Sequence, residues 1–295
     1  MHKPVMLNEV LKYLDPQPGG KFIDTTINGG GHASAIAERI GKKGKLLGID
    51  RDCALIKVLS AKYEIRDTRY ELVCANFSDV TSVAREHGFT NVDGILFDLG
   101  FSSFHIEESG RGFSFQKDEM LDMRYDTGSG RPAREIINRF SDKELADILF
   151  KLGGERFARR IARRVVEERQ RTRIETTTQL VEVIKRAVPA GYRHGRIHFA
   201  TRTFQALRMF VNDELEHVAK GVADAISLLR HGGRVVVISF HSGEDRIVKE
   251  LFRQEERNGT AYRITKKPVR TSKAEAEENP RSRSAKLRVL EKILK

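Results

Sequence analysis

Tryptophan is absent from the 295 residues, proline is sparse at seven, and only two cysteines occur, Cys53 and Cys74. Without CxxC spacing, these two thiols suggest neither a disulfide framework nor a zinc site, and both read as packing residues, the usual fate of free cysteine. No apolar run approaches the roughly 18 residues that a membrane span needs, and no N-terminal signal pattern is present. The expectation is a soluble, cytoplasmic protein with no membrane partner. Internal repeats and low-complexity tracts are also lacking. With 39% hydrophobic residues the chain can bury a sizeable core, and its length exceeds one ordinary compact domain. That points to one large domain with an insertion, or to two domains.

What is abundant is positive charge, net +12, and it is unevenly placed. Residues 110–203 hold 21 Lys/Arg against 13 Asp/Glu, and residues 253–295 hold 13 against 6. The remainder carries 19 against 22 and is slightly acidic. Such an excess, outside the segments that carry the site motifs below, suits a polyanionic partner; solvated helix faces are the plain alternative.

Hydrophobic periodicity gives the architecture. Residues 6–14 have helical spacing, and Pro16, Pro18, Gly19 and Gly20 break it before a first strand at Phe22-Ile23-Asp24. A helix with Ala33, Ile36, Ala37 and Ile40 on one face is closed by Gly41. Strands at 45–49, 70–75 and 92–97 follow, with a helical stretch near 80–86 before the last. This alternation predicts a parallel sheet with right-handed crossovers. From about 106 to 203 the rhythm lapses into Gly- and Arg-rich loops and helices such as 142–152 and 155–168. It resumes with a long amphipathic helix, Phe204 to Leu229 in its apolar positions, stopping at His231-Gly232-Gly233, and a buried-type strand, Val235-Val236-Val237-Ile238. The polar stretch 273–283 reads as a loop. The expected domains are 1–108 with 204–295, and an inserted helical domain at 109–203.

Three strand ends deliver loaded turns: Asn28-Gly29-Gly30-Gly31-His32 after the first, Asp50 after the second and Asp98 after the fourth. Ligands of open α/β sheets bind along that carboxyl edge. Glycine lets the backbone approach a ligand, the helix start adds amide donors, and a carboxylate at Asp50 can accept two bonds from ribose hydroxyls. Both dinucleotide enzymes and S-adenosylmethionine-dependent methyltransferases use that arrangement. A strict G-x-G-x-x-G is missing, because Ser34 stands at its sixth position, which weakens a pyrophosphate cradle. Asn76-Phe77 offers an aromatic face for an adenine, or else Phe77 is core.

Longer motifs narrow the choice. Asp98-Leu99-Gly100-Phe101-Ser102-Ser103, Arg111-Gly112-Phe113-Ser114-Phe115, Leu121-Asp122-Met123-Arg124, Ala200-Thr201-Arg202-Thr203-Phe204-Gln205-Ala206, Ile238-Ser239-Phe240-His241-Ser242 and Asn279-Pro280-Arg281-Ser282-Arg283-Ser284 occur in this order. With them the chain resembles the RsmH (MraW) family from His2-Lys3-Pro4-Val5 nearly to its C-terminus. The resemblance implies a class I S-adenosylmethionine-dependent methyltransferase, Rossmann-like with a mostly parallel sheet and an inserted helical domain. The implied reaction is methylation of N4 of a cytidine in the decoding centre of bacterial 16S rRNA, within the small ribosomal subunit. It places Gly30, Gly31, His32, Asp50, Phe77 and Asp98 on cofactor positions. A further cofactor position, usually Gln in the family, is His105 here; the loop Asn28-Gly29-Gly30-Gly31 departs from the usual Gly-Arg-Gly-Gly or Gly-Glu-Gly-Gly, and Gly243 replaces a usual Leu, which is expected to loosen a helix start.

The exocyclic amine of cytosine is a weak nucleophile because its lone pair is delocalised into the ring. A carboxylate accepting its hydrogen bond would localise that pair and stabilise the developing positive charge. Asp98 is the candidate catalytic residue, the alternative being that it only holds the methionine amino group. The base must also leave any stack, with Phe101, Phe104, Phe113 and Phe115 divided between core packing and base support. Arg156, Arg159, Arg160, Arg163 and Arg164 lie opposite Phe157, Ile161 and Val165, a face for phosphates or for solvent. His194 and His198 have a metal-like interval but no further ligand pair, so no metal is expected. Two other classes stay open, an NAD-dependent oxidoreductase and a non-catalytic RNA-binding assembly factor. So does the oligomeric state, a homodimer included.

Overall fold

Strands whose central members are apolar and buried on both faces assemble the sheet that carries the site motifs. They are β1 (Lys21–Asp24), β2 (Lys45–Asp50), β3 (Tyr70–Cys74), β4 (Val92–Asp98), β5 (Leu229–Ser239), β6 (Ala261–Arg263), β7 (Val269–Arg270) and β8 (Lys286–Lys292). The computed structural model describes residues 4–63, 70–99 and 109–293. The strand order is β3-β2-β1-β4-β5-β8-β6, with β7 also on β8. β1 to β5 run parallel, and β8 returns antiparallel to β5. This is the class I Rossmann-like arrangement, mostly parallel with an antiparallel edge. The sequence is rebuilt on both faces with period two. Phe22, Leu46, Leu96, Val236 and Ile238 pack with Val10, Leu11, Ile36 and Ala37. Ile23, Leu47, Ile95, Phe97 and Val235 pack with Val80, Val218, Val222, Val248 and Phe252 on the other side.

The chain divides into two compact units, Met1–Phe101 with Leu215–Lys295, and Ser102–Glu214. The second has its own core, in which Leu145, Ile161, Leu180 and Ile184 meet Phe204 and Leu207. Its helices start on capping boxes, Ser141 with Glu144 and Thr176 with Gln179. The boundary therefore falls at Glu214 and not at 203. The expected continuous helix is two, Thr201–Val211 and Glu214–Leu228. Between them Asp213 takes a φ of 48°, and the Asn212 amide donates to the carbonyls of Met123 (2.7 Å) and Arg208 (2.9 Å). An amphipathic stripe persists through such a break, so periodicity could not show it.

Three further expectations are corrected. His231-Gly232-Gly233 does not end a helix but lies within β5, where the pairing register with β4 shifts between Val92 and Gly94. The supposed loop at 273–283 contains the helix Lys273–Glu278, capped by Ser272, and the 3-10 turn Pro280–Ser284. Among the described residues, no helix is long and apolar enough to cross a membrane.

The cysteines are the third correction. Cys53 and Cys74 are joined in a disulfide across 21 residues, with Cα atoms 5.0 Å apart. Sequence spacing hid the pair because it is made by the sheet: Cys74 lies opposite Asp50 in the β2–β3 register, three positions before Cys53. Closing a loop of this length stabilises by about 3 kcal/mol through the unfolded chain. Reduction, or Cys74→Ser, is expected to lower the calorimetric midpoint of the first unit by several degrees. Two titratable thiols in the native, unreduced protein would contradict the bond.

Candidate functional site

Strand order reverses between β1 and β4, so a crevice opens outside their carboxyl ends. The turn leaving β1 is tied down on both sides. Thr25 donates to the Leu96 carbonyl through N (3.0 Å) and Oγ1 (2.8 Å), and Ile27 N donates to the Ile49 carbonyl at 2.9 Å. A side chain at Gly48 would strike Ile27 at 2.3 Å, so that glycine lets the turn settle between the strands. Asn28 and Gly30 have φ of 47° and 76°, the left-handed region, and the helix Gly31–Ile40 begins directly afterwards. A Cβ on Gly31 would press on the Pro4 ring at 3.0 Å, so this glycine also serves packing against the N-terminal segment.

The register then decides what faces the crevice. Asp24 is paired with Gly48 of β2 and Leu96 of β4, so Asp50 and Asp98 each lie two residues beyond its partners. With a side-chain period of two, all three carboxylates project to the same face of the sheet. All three are buried, at 1%, 7% and 5% exposure. Asp50 accepts from Asn28 N (3.1 Å) and Asp52 N (3.0 Å), which fixes the glycine turn to the end of β2. Asp98 donates through its backbone N to Thr26 Oγ1 at 2.6 Å, and its Oδ2 lies 3.7 Å from His32 Nδ1. Since His32 Nε2 faces the Val5 carbonyl at 2.9 Å, that nitrogen carries a proton and the ring is turned with Nδ1 toward Asp98.

Asp24 was the residue missed in the sequence, although it ends a strand as the other two do. Its Oδ1 accepts from Thr26 N at 3.2 Å, while Oδ2 is buried with no hydrogen-bond partner among the described residues. Burial first, then the nearby charges of Asp98 and Asp50, raise its carboxyl to about 7 against the opposing Thr26 hydrogen bond. Three acids buried together favour a cation. A pyrophosphate would meet repulsion of about 4 kcal/mol per charge pair at 4 Å even with effective screening typical of proteins.

Phe77 is half-buried, edge-on to Phe97 (5.9 Å) and to His217 (6.5 Å). The Asn76 side chain caps the following 3-10 turn through Ser78 N (3.0 Å) and contacts His217 Nδ1 (3.2 Å), so its polarity is used structurally. Gly221 gives Phe77 its place, for a Cβ there would stand 2.8 Å from the ring. His105, Phe101 and Phe104 lie outside the described residues. Gly243 does not loosen its helix. His241 Nδ1 accepts from Gly243 N and Glu244 N, with Glu244 completing a capping box.

In the second unit, the helix Ala158–Arg169 buries Ala158, Ile161, Ala162 and Val165. Arg156, Arg159, Arg160 and Arg163 are exposed. Among the described residues none of these four has an ion-pair partner, whereas Arg164 pairs with Glu167 at 3.1 Å. Arg156 lies over Phe157 (4.9 Å) and Tyr192 (4.7 Å), which holds its charge outward. Phe113 belongs to the core and stacks on Tyr125. Phe115 stacks on the His198 ring at 4.5 Å, and burial lowers the basicity of that imidazole.

Comparison with known proteins gives a consistent result. The model of the family described as "MraW methylase family" matches residues 1–293. The "Ribosomal RNA small subunit methyltransferase H" of Thermomicrobium roseum is 48% identical, the match covering 99% of this chain and 94% of that one. The protein of the same description from Geotalea uraniireducens is 46% identical, over 99% of this chain and 98% of its own.

Proposed function

The chain belongs to the MraW methylase family, and from that premise we propose that it methylates N4 of a cytidine in the decoding centre of bacterial 16S rRNA, using S-adenosylmethionine. It is an rRNA methyltransferase. The single observation that carries the cofactor reading is the cluster of Asp24, Asp50 and Asp98, buried together beside a glycine turn at the point where the strand order reverses. A cationic nucleoside suits that crevice and a dinucleotide pyrophosphate does not.

S-adenosylmethionine supplies a methyl group on a positively charged sulfur. Asp50 would hold the ribose hydroxyls, since each carboxylate oxygen can accept a second bond beside those from Asn28 and Asp52. The left-handed turn at Asn28 and Gly30 brings backbone close to the ligand, and Phe77 provides an aromatic edge near the end of β3. Asp98 would accept a hydrogen bond from the cytosine amine and stabilise the charge that develops there. His32, held by the Val5 carbonyl, keeps its Nδ1 3.7 Å from the Asp98 carboxylate. Attack is by the amine itself, so no cysteine nucleophile is required.

For the second unit we assign RNA binding to the exposed face of Arg156, Arg159, Arg160 and Arg163. Phosphate contacts release counterions, so each lost contact reduces the salt dependence of affinity. Changing Arg159, Arg160 and Arg163 together to Glu is expected to weaken small-subunit binding at least tenfold and to flatten the log K against log salt slope. Cofactor affinity should stay unchanged. An unaltered slope would show that this face is merely solvated.

The overall reading is tested by incubating small subunits that lack the modification with isotopically labelled cofactor, then analysing the rRNA nucleosides by mass spectrometry. The expected product is a labelled N4-methylcytidine. Label on another base or atom, or none, would refute the assignment, and tight NADH binding without response to S-adenosylmethionine would restore the oxidoreductase.

A further inference from the structure

Asp24 is not needed to hold the ribose or to meet the cytosine amine, yet it is placed at the centre of the crevice. It occupies the end of β1, with β2 and β4 on either side. The charged groups that act on it are carboxylates from both neighbours, Asp50 on β2 and Asp98 on β4; the imidazole of His32, from the following helix, lies 3.7 Å from Asp98. Its own backbone and side-chain geometry gives Oδ1 one amide, from Thr26, and leaves Oδ2 buried without a hydrogen-bond partner among the described residues. An ionised carboxylate in that position lacks solvation and faces two like charges, whereas a protonated one is tolerated.

We propose that Asp24 is a proton-linked partner of the cofactor: it is protonated when the crevice holds no cation, and releases its proton to solvent when the positively charged cofactor arrives. The inference rests on the cofactor reading above. The step balances simply, since the carboxylic acid loses one proton to the buffer and becomes the carboxylate that faces the cofactor's positive charge. The net charge of the crevice is thereby matched to its occupant, which disfavours neutral or anionic nucleosides of similar shape. The same burial that raises the acid to about 7 puts the exchange in the physiological range.

The linkage has a definite sign. Because the free crevice holds the proton below about pH 7, cofactor binding must displace it there, so affinity falls as the pH is lowered. Above that range the carboxylate is already ionised and affinity becomes independent of pH. In the unliganded protein the sign is opposite. An acid whose folded value is raised favours the fold while protonated, and that contribution is lost as the pH rises from the ordinary carboxylate range through about 7.

Calorimetric titration of the full chain with S-adenosylmethionine, in buffers of different ionisation enthalpy, tests this directly. The expected result is release of about half a proton at pH 7, approaching one at pH 6 and vanishing near pH 8.5, with Kd rising by up to about tenfold per unit below pH 7. In Asp24→Asn the part of the release due to this group should disappear, and the pH dependence of Kd should flatten. A second readout does not need the variant to bind. The unliganded wild type should lose thermal midpoint between pH 6 and pH 8 relative to Asp24→Asn. Binding with no proton release at pH 6 or 7, or with the same release in the variant, overturns the inference alone. Absence of cofactor binding at every pH overturns both it and the cofactor reading.

Discussion

Asp98→Ala is expected to lower methyl transfer by about 10²–10³-fold at saturating cofactor and RNA, the magnitude typical of removing one group aimed at developing charge. The prediction rests on position. Asp98 is 5% exposed, lies at the end of the strand beside the point where the order reverses, has its backbone N bound to Thr26 Oγ1, and has the His32 imidazole 3.7 Å from its carboxylate. If it acts on the base, the loss appears in kcat and more cofactor does not restore it. If it holds only the methionine amino group, Kd for the cofactor rises and saturation recovers kcat. Asp98→Asn keeps size and an acceptor oxygen but removes the charge, so its residual rate separates hydrogen bonding from charge stabilisation. RNA affinity should change less than about threefold, because the arginine face lies in the other unit. Full activity of the alanine variant would remove Asp98 from the mechanism.

Asp50→Ala should raise Kd for S-adenosylmethionine by about 10²-fold or more, since two charge-assisted hydrogen bonds at about 1.5–3 kcal/mol each are lost. Part of that effect is indirect, for Asp50 also anchors Asn28 N and Asp52 N. Methylthioadenosine tests the assignment because it keeps the ribose and lacks the amino acid. Its affinity should fall by the same factor as that of the whole cofactor in the Asp50 variant, and hardly at all in Asp98→Ala. Equal losses in both variants would mean that Asp50 acts only by shaping the turn.

Much of this site was readable in one dimension because its parts are local. Each of Asp50 and Asp98 ends a strand whose apolar run is visible, and the glycine turn follows β1 immediately. The arginine helix likewise follows from spacing alone, with Ile161 and Val165 facing inward and Arg159 and Arg163 outward. Other features were illegible for a physical reason. The break at Asn212–Asp213 preserves the apolar stripe on both sides and depends in part on a carbonyl far away in sequence, that of Met123. Gly243 looked like a weakened helix start, but the His241 ring uses the space a side chain would fill. The 273–283 segment has no apolar side chain larger than Ala274, Ala276 and Pro280 to mark its structure, and Ser272 supplies the cap instead.

By itself, then, the sequence determined the strand ends, the alternation that makes the sheet parallel, and the separation of the basic segments from the acidic crevice. Those are properties of neighbours along the chain, set by period, turn chemistry and charge. Only the tertiary structure decided that Asp24, Asp50 and Asp98 share one face, and that Cys53 meets Cys74. Both depend on register between strands, which brings residues tens of positions apart into contact. Register also decided the electrostatics, because a lone strand-end carboxylate is ordinary, whereas three buried together require a cation or a proton.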